Sequence, residues 1–322
     1  MALKLNDKWL WDFWSAQNGS DYHIFYLQSS NSWKYEWQRH FNVSVGHAVS
    51  KDLTHWTILE DALKPSDDIE AFDNYTTWTG SVIKHNNLWH MFYTGSMRQE
   101  RGVIQRIGLA TSTDLIHWQK HSQRPLLEAD PSIYETLDFN RWHDQAWRDP
   151  WVFQTADGVF HMFITARLKD GSADEQGVIG HAVSKDLLQW QVCPPVTEPG
   201  EFGHMEVPQL VQIQGKYYLL FTVGHEQYSK ARKARGVALQ TGTHYLVADN
   251  PLGPFHYLTD HFLSGDREGS LYSGKLIQDV QKNWQFLAFK NVSQGQFIGE
   301  LSNPMPVRVL TDGRLELAGK AS

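Results

Sequence analysis

The chain has 322 residues, with 29 Lys+Arg against 36 Asp+Glu and a formal net charge of -7, an acidic balance that argues against nucleic-acid binding. Hydrophobic residues make up 41% and charged residues 20%, which is globular composition and excludes a disordered chain. No run approaches the roughly 18 apolar residues of a membrane helix, and a single cysteine, Cys193, excludes an internal disulfide framework and a Cys-based zinc site.

In chain order, the first predicted elements are KWLWDFW from Lys8, YHIFYLQ from Tyr22 and VGHAVSKDLTHW from Val45. The same trio returns as TWTGSVIKH, LWHMFYTG and IGLATSTDLIHW from Thr77, Leu88 and Ile107. It returns again as AWRDPWVFQ, VFHMFITA and IGHAVSKDLLQW from Ala146, Val159 and Ile179. A fourth unit reads MEVPQLVQI, KYYLLFTV and a looser THYLVADNPLGPFHY from Met205, Lys216 and Thr243. A fifth carries SLYSGKLIQ and NWQFLAFK from Ser270 and Asn283.

The runs are short and rich in aromatic and aliphatic strand formers. The SKDL or STDL stretches read as turns, in which Asp and Ser side chains satisfy local backbone donors. Each turn ends in a Trp that opens the next short strand. Repetition at roughly 60 to 70 residues, about four strands at a time, predicts an all-β, five-bladed β-propeller with four strands per blade. It forms a single domain over residues 1–322. A β-sandwich with chance similarity is the alternative, and the near-identical recurrence of HAVSKDL weighs against it.

In a propeller the first strand of each blade lines the central channel. Those strands carry Asp12, Thr79, Asp149, Glu206 and the stretch Ser270 to Ser273. Acidic residues are depleted in strands and are almost never fully buried without partners. Three converging on one axis would repel one another, a cost that structure alone does not explain and an active site does. Paired carboxylates around an oxocarbenium-like transition state define most glycoside hydrolysis. Trp11, Phe13, Trp14, Trp78, Trp147 and Trp151 flank the carboxylates and suit stacking on sugar faces.

WDFW at Trp11, YHIFYLQ at Tyr22, GHAVSKDLTHW at Gly46, WTGS at Trp78, MFYTG at Met91, WRDP at Trp147, EVP at Glu206 and EGSLYSG at Glu268 form an ordered series, one set per blade. Over roughly residues 9 to 300 this series resembles the invertase and fructan-hydrolase group, glycoside hydrolase family 32. The wider clan includes levansucrases and five-bladed arabinanases. The resemblance implies Asp12 as nucleophile, Asp149 with Arg148 as the pair that holds ring hydroxyls and favours the transition state, and Glu206 as acid/base. It also implies sugar-pocket positions at Gln28, Trp78 and Ser81, with Tyr272 as a further candidate. Trp11 and Trp14 are stacking candidates, and His204 shares the face of Glu206. Two departures stand out: the string around Asp12 is more similar to that of levansucrases, and Val207 follows Glu206 where the family commonly has Cys.

The implied activity is a retaining β-fructofuranosidase on sucrose or fructans, with fructosyl transfer as a branch. Glu206 must then stay protonated, with Asp12, Asp149 and apolar neighbours raising its proton affinity. An inverting arabinofuranosidase-like hydrolase and a catalytically silent sugar-binding propeller are the alternatives. The expected partner is a carbohydrate substrate, with no metal, no cofactor, no nucleic acid and no membrane. The sequence leaves the oligomeric state open. The N-terminus lacks the apolar stretch of a secretory signal, which gives a cytoplasmic expectation. The family's usual C-terminal β-sandwich is expected to be absent. Asp52, Asp114 and Asp186 are read as structural turn residues. Asp144 is read as a solvated loop residue with a rim contact as the alternative, and the basic stretch Lys230, Arg232, Lys233 and Arg235 as a solvated loop with a phosphate contact as the alternative. Cys193 receives no role.

Overall fold

A computed structural model describes residues 3–318, and every sequence unit folds as one antiparallel sheet. Blade 1 comprises Lys8–Asn18, Asp21–Ser30, Ser44–Ser50 and Thr57–Ile58. Blade 2 comprises Thr76–His85, Leu88–Ser96, Gln105–Ser112 and Gln119–Lys120. Blade 3 comprises Trp147–Gln154, Phe160–Arg167, Gly177–Ser184 and Trp190–Cys193. Blade 4 comprises Glu206–Ile213, Lys216–Val223, Thr241–Ala248 and Ser264–Asp266. Blade 5 runs Leu271–Gln278, Trp284–Ser293, Met305–Val309 and Leu315–Leu317, with one more strand, Gln296–Leu301, on Trp284–Ser293. The inner strands touch in the order 1–2–3–4–5 and blade 5 returns to blade 1, which closes the ring. No β-sandwich occurs among the described residues.

The recurring turn has a packing reason. Trp118 of blade 2 packs edge-on to Phe25 in the second strand of blade 1. Trp190 of blade 3 meets Phe92 of blade 2 in the same way, and Phe255 of blade 4 meets Phe163 of blade 3. In blades 2 to 4 an aromatic ring thus enters the seam with the preceding blade. The Asp fixes the turn: Asp114 Oδ1 accepts the Ile116 and His117 amides, both at 2.8 Å, and Asp52 and Asp186 do the same in their blades.

All five inner strands break register at an equivalent place, between Trp11 and Phe13, Trp78 and Gly80, Arg148 and Trp151, Glu206 and Gln209, and Tyr272 and Lys275. The residue after the break is Gly80, Pro150, Pro208 or Gly274 in blades 2 to 5, residue types that mark bulges because they lack a ladder donor or a side chain. At Gly80 a Cβ would lie 2.0 Å from the Phe92 carbonyl oxygen, so the close approach needs glycine. Asp149, Val207 and Ser273 take positive φ values of 57°, 54° and 50°. Each bulge turns one side chain toward the channel axis and the preceding one toward its mouth.

Candidate active site

The bulges define two rings. Asp12, Thr79, Asp149, Val207 and Ser273 form the inner one. Trp11, Trp78, Arg148, Glu206 and Tyr272, one residue earlier in each strand, form the outer one. Glu206 is therefore equivalent to Arg148 and Tyr272 rather than to Asp12 and Asp149. Pairing by sequence position missed that offset. A cavity of about 680 Å³ opens over both rings, and Asp12, Asp149, Glu206, Arg148, Trp11, Trp78 and Tyr272 all line it. That volume is ordinary for a small-molecule site.

Asp12 bridges three blades: Thr79 Oγ1 donates to its Oδ2 at 3.0 Å, and Ser273 Oγ donates to its Oδ1. Burial raises its proton affinity, those hydrogen bonds oppose the rise and the charge of Glu206 adds to it; the net direction is up. Asp149 Oδ2 accepts from Thr165 Oγ1 at 2.8 Å and from the Val207 amide at 3.2 Å. Its own amide donates to Thr94 Oγ1 of blade 2 at 2.9 Å. Burial pushes Asp149 up to about 7; Arg148 opposes the rise, and the charges of Asp12 and Glu206 add to it.

Glu206 behaves in the opposite way. Arg148 Nη2 donates to its Oε1 at 2.7 Å and the Tyr272 hydroxyl donates to its Oε2 at 2.6 Å. Burial favours the protonated form, but His204, Arg148 and Tyr272 together hold the carboxyl well below the usual range. The sequence expectation that its neighbours raise Glu206 is thus reversed: it weighed the two aspartates and not the donors. Arg148 is itself held by Asp144 Oδ2 at 2.9 Å and Gln105 Oε1 at 2.8 Å. Asp144, read as a solvated loop residue, is buried and clamps this arginine.

His204 is buried, and its tautomer follows from one bond. The Trp142 indole N–H, which can only donate, reaches His204 Nε2 at 3.1 Å. The neutral ring therefore carries its proton on Nδ1, which lies 3.5 Å from Glu206 Oε1.

Lys275 escaped the sequence reading. It is buried below the inner ring, donates to the Val207 and Pro208 carbonyls at 2.8 and 3.1 Å, and lies near the Trp151 ring. Burial lowers it to about 7, while Asp149 and Asp12 pull it back up. Its signal was a lysine among the apolar residues of an inner strand, a residue type that is almost never fully buried without partners. The rim residues Arg39, His40 and Gln105 were also missed; all line the cavity. Arg39 and His40 sit in the short 3-10 helix Glu36–Phe41 and Gln105 opens a third strand of its blade, places that the reading of the inner strands did not cover.

Five sequence candidates lie elsewhere, and two of them, Phe13 and Trp147, are wholly buried in the cores, where no sugar can stack on them. Gln28 is buried against Ser44 and Asp61, donating to Asp61 Oδ1 at 2.6 Å. Ser81 Oγ accepts the Val152 amide at 3.0 Å and joins blades 2 and 3. Trp14 is buried in the core. In the basic stretch, Arg232 and Arg235 are both paired with Glu201 and Asp260. Arg232 is buried in the short helix Lys230–Ala234, so this part of the stretch is not the solvated loop that the sequence suggested.

Comparison with known proteins gives a consistent picture. The glycosyl hydrolases family 32 N-terminal domain matches residues 14–296. A sucrose-6-phosphate hydrolase of Bacillus subtilis is 29% identical over 209 residues, covering 62% of this chain and 38% of that protein. A 6(G)-fructosyltransferase of Asparagus officinalis is 31% identical over 183 residues, covering 54% of this chain and 27% of that protein. The chain thus spans well under half the length of these curated relatives. The inulosucrase of Halalkalicoccus jeotgali, solved bound to kestose, superposes with a TM-score of 0.80 at 20% identity, over 98% of this chain and 88% of that one. Fructan 1-exohydrolase IIa of Cichorium intybus gives 0.71 at 20% identity, over 98% and 59%. At that identity these two speak for the fold alone. No described helix is long and apolar enough to cross a membrane.

Proposed function

Because the chain belongs to glycosyl hydrolases family 32, we propose that it cleaves β-fructofuranosides, sucrose or short fructans, with retention of configuration. The observation that carries this reading is the convergence of Asp12, Asp149 and Glu206 on one cavity, two of them coupled through Arg148.

Asp12 attacks the anomeric carbon of the fructosyl unit as the glycosidic C–O bond breaks, and Glu206 gives its proton to the departing oxygen. Glu206 then takes a proton from water. The water oxygen attacks the same carbon, and Asp12 leaves with its electron pair. A sugar hydroxyl in place of water gives transfer. Asp149 and Arg148 hold ring hydroxyls, and the carboxylate of Asp149 favours the developing positive charge.

The three carboxyls titrate as one coupled set. As they stand, the donors around Glu206 favour its ionised form and Asp149 holds a proton more firmly. Sugar hydroxyls that occupy Arg148 and Asp149 weaken that preference and move the proton to Glu206, where the leaving group needs it.

The test is product analysis with sucrose, inulin, levan and an arabinofuranoside, run on the native chain and on Asp12→Asn. The expected result is fructose release that falls on the order of 10⁴-fold in the variant, with an unchanged circular dichroism spectrum. Release of fructose from none of the three fructosides overturns the substrate, and a variant that keeps its turnover overturns the nucleophile.

A further inference from the structure

Most large aromatic side chains of this chain are buried, yet three within five residues of the rim are not. Trp33, Tyr35 and Trp37 are 36%, 50% and 61% exposed. The Tyr35 and Trp37 rings are within 12° of parallel with centroids 6.3 Å apart. At that separation they are offset, so together they offer a broader surface than either ring alone.

The segment is built, not loose. The Tyr35 amide donates to Gln38 Oε1 at 3.0 Å, and the Gln38 amide returns a bond to the Tyr35 carbonyl at 3.1 Å. Glu36 Oε1 accepts the Phe297 amide of blade 5 at 3.2 Å, and the Trp33 indole donates to Ser29 Oγ at 3.0 Å. The His40 carbonyl accepts the Trp78 indole at 2.8 Å. The Arg39 guanidinium lies 4.0 Å from the Phe297 ring centroid and 5.5 Å from that of Trp11. A fixed aromatic surface left in water forgoes the gain of burial and marks a place that something covers.

We propose that Tyr35 and Trp37 form a platform for the sugar units of a fructan chain that extend beyond the cavity. The inference rests on the fructosidase reading above and deepens it toward longer substrates. Trp37 lines the same cavity as Asp12 and Glu206, so the platform is continuous with the space that holds the reacting centre. A folded protein partner needs about 800 Å² on each side, far more than two rings supply. A narrow linear chain leaving the cavity needs only such a strip. The exposed neighbours Asn31, Ser32 and Glu36 suit its hydroxyls.

Two measurements test this, both using Tyr35→Ala, which sits outside the cavity lining. The first is kcat/KM on sucrose and on long-chain inulin. The expected result is a roughly five- to tenfold loss on inulin, carried by KM, with sucrose changed less than twofold. Equal loss on both substrates, or loss on neither, overturns the platform. The second is affinity electrophoresis in inulin gels with Asp12→Asn as background, which reads binding without turnover. Retardation that Tyr35→Ala relieves supports the platform even if hydrolysis of fructosides fails. No retardation, or retardation that Tyr35→Ala leaves intact, overturns it. Sedimentation showing a Tyr35-dependent dimer overturns it as well, by assigning the rings to a second copy.

Discussion

Trp142 acts on Glu206 through a single histidine proton. Around His204 stand Trp142 and Asp144 Oδ1 at Nε2, at 3.1 and 3.9 Å, and Arg148 Nη2 and Glu206 Oε1 at Nδ1, at 3.3 and 3.5 Å. The His143 ring is 5.8 Å away. With the indole donating to Nε2, Nδ1–H faces Glu206 and lowers its proton affinity. In Trp142→Phe the ring stacked on Arg167 is retained but the donor is lost. Asp144 Oδ1, buried and otherwise without a hydrogen-bond partner, then favours a proton on Nε2. Nδ1 turns acceptor toward Arg148, and Glu206 loses a donor. A general acid works when protonated, so raising its proton affinity moves the alkaline limb of the kcat/KM profile to higher pH. The expected shift is on the order of half to one pH unit. A limb that stays in place or moves down would show that the tautomer does not tune the acid.

At the scale of the element, the same strand order carries both what the sequence reveals and what it hides. The Ser-x-Asp-Leu turns recur because an identical task, presenting a ring to the preceding blade, recurs; such repetition is legible. Asp114 illustrates the device: it accepts two backbone amides and the Ser112 hydroxyl, so it works as a local cap. Asp114→Ala should cost about 1 kcal/mol and leave kcat/KM for sucrose unchanged. Urea unfolding and sucrose kinetics on the variant check it; a loss of activity without a loss of stability would place Asp114 in function instead. The bulges were harder to read. Pro150, Pro208, Gly80 and Gly274 hint at them, but a one-residue register break moves a side chain to another ring. Glu206 was matched with Asp12 for that reason, and Lys275 stayed hidden because the carbonyls that it serves, Val207 and Pro208, lie in another blade. Three acids at one mouth were legible because charge in a strand is rare. Their relative proton affinities were not, because those depend on donors from Arg148, His204 and Tyr272.

Across the whole molecule, Asp12 is held by hydroxyls from both neighbouring blades, Thr79 from blade 2 and Ser273 from blade 5. Its geometry therefore depends on the seam where the ring closes. The N-terminal segment crosses that seam: the Leu301 amide donates to the Leu3 carbonyl at 3.0 Å, and Lys4 pairs with Glu300 at 2.7 Å. The ion pair is exposed at its lysine end and contributes little. The apolar contacts contribute more, since Leu3 and Leu5 are 4% and 7% exposed and join the core cluster that contains Phe289, Phe297 and Leu301. Trp9 meets Phe297 edge-on at 5.7 Å across the same seam. Replacing both leucines with alanine should therefore lower global stability by about 3–6 kcal/mol. It should leave kcat/KM of the folded fraction within a few-fold at low temperature, because no substrate contact is lost. Denaturant unfolding monitored by tryptophan fluorescence, with activity followed in parallel, measures both. A cost below about 1 kcal/mol would mean that the strand Gln296–Leu301 closes the ring unaided. Activity lost well before the fluorescence transition would mean that the seam opens locally around Asp12 while the other blades stay folded.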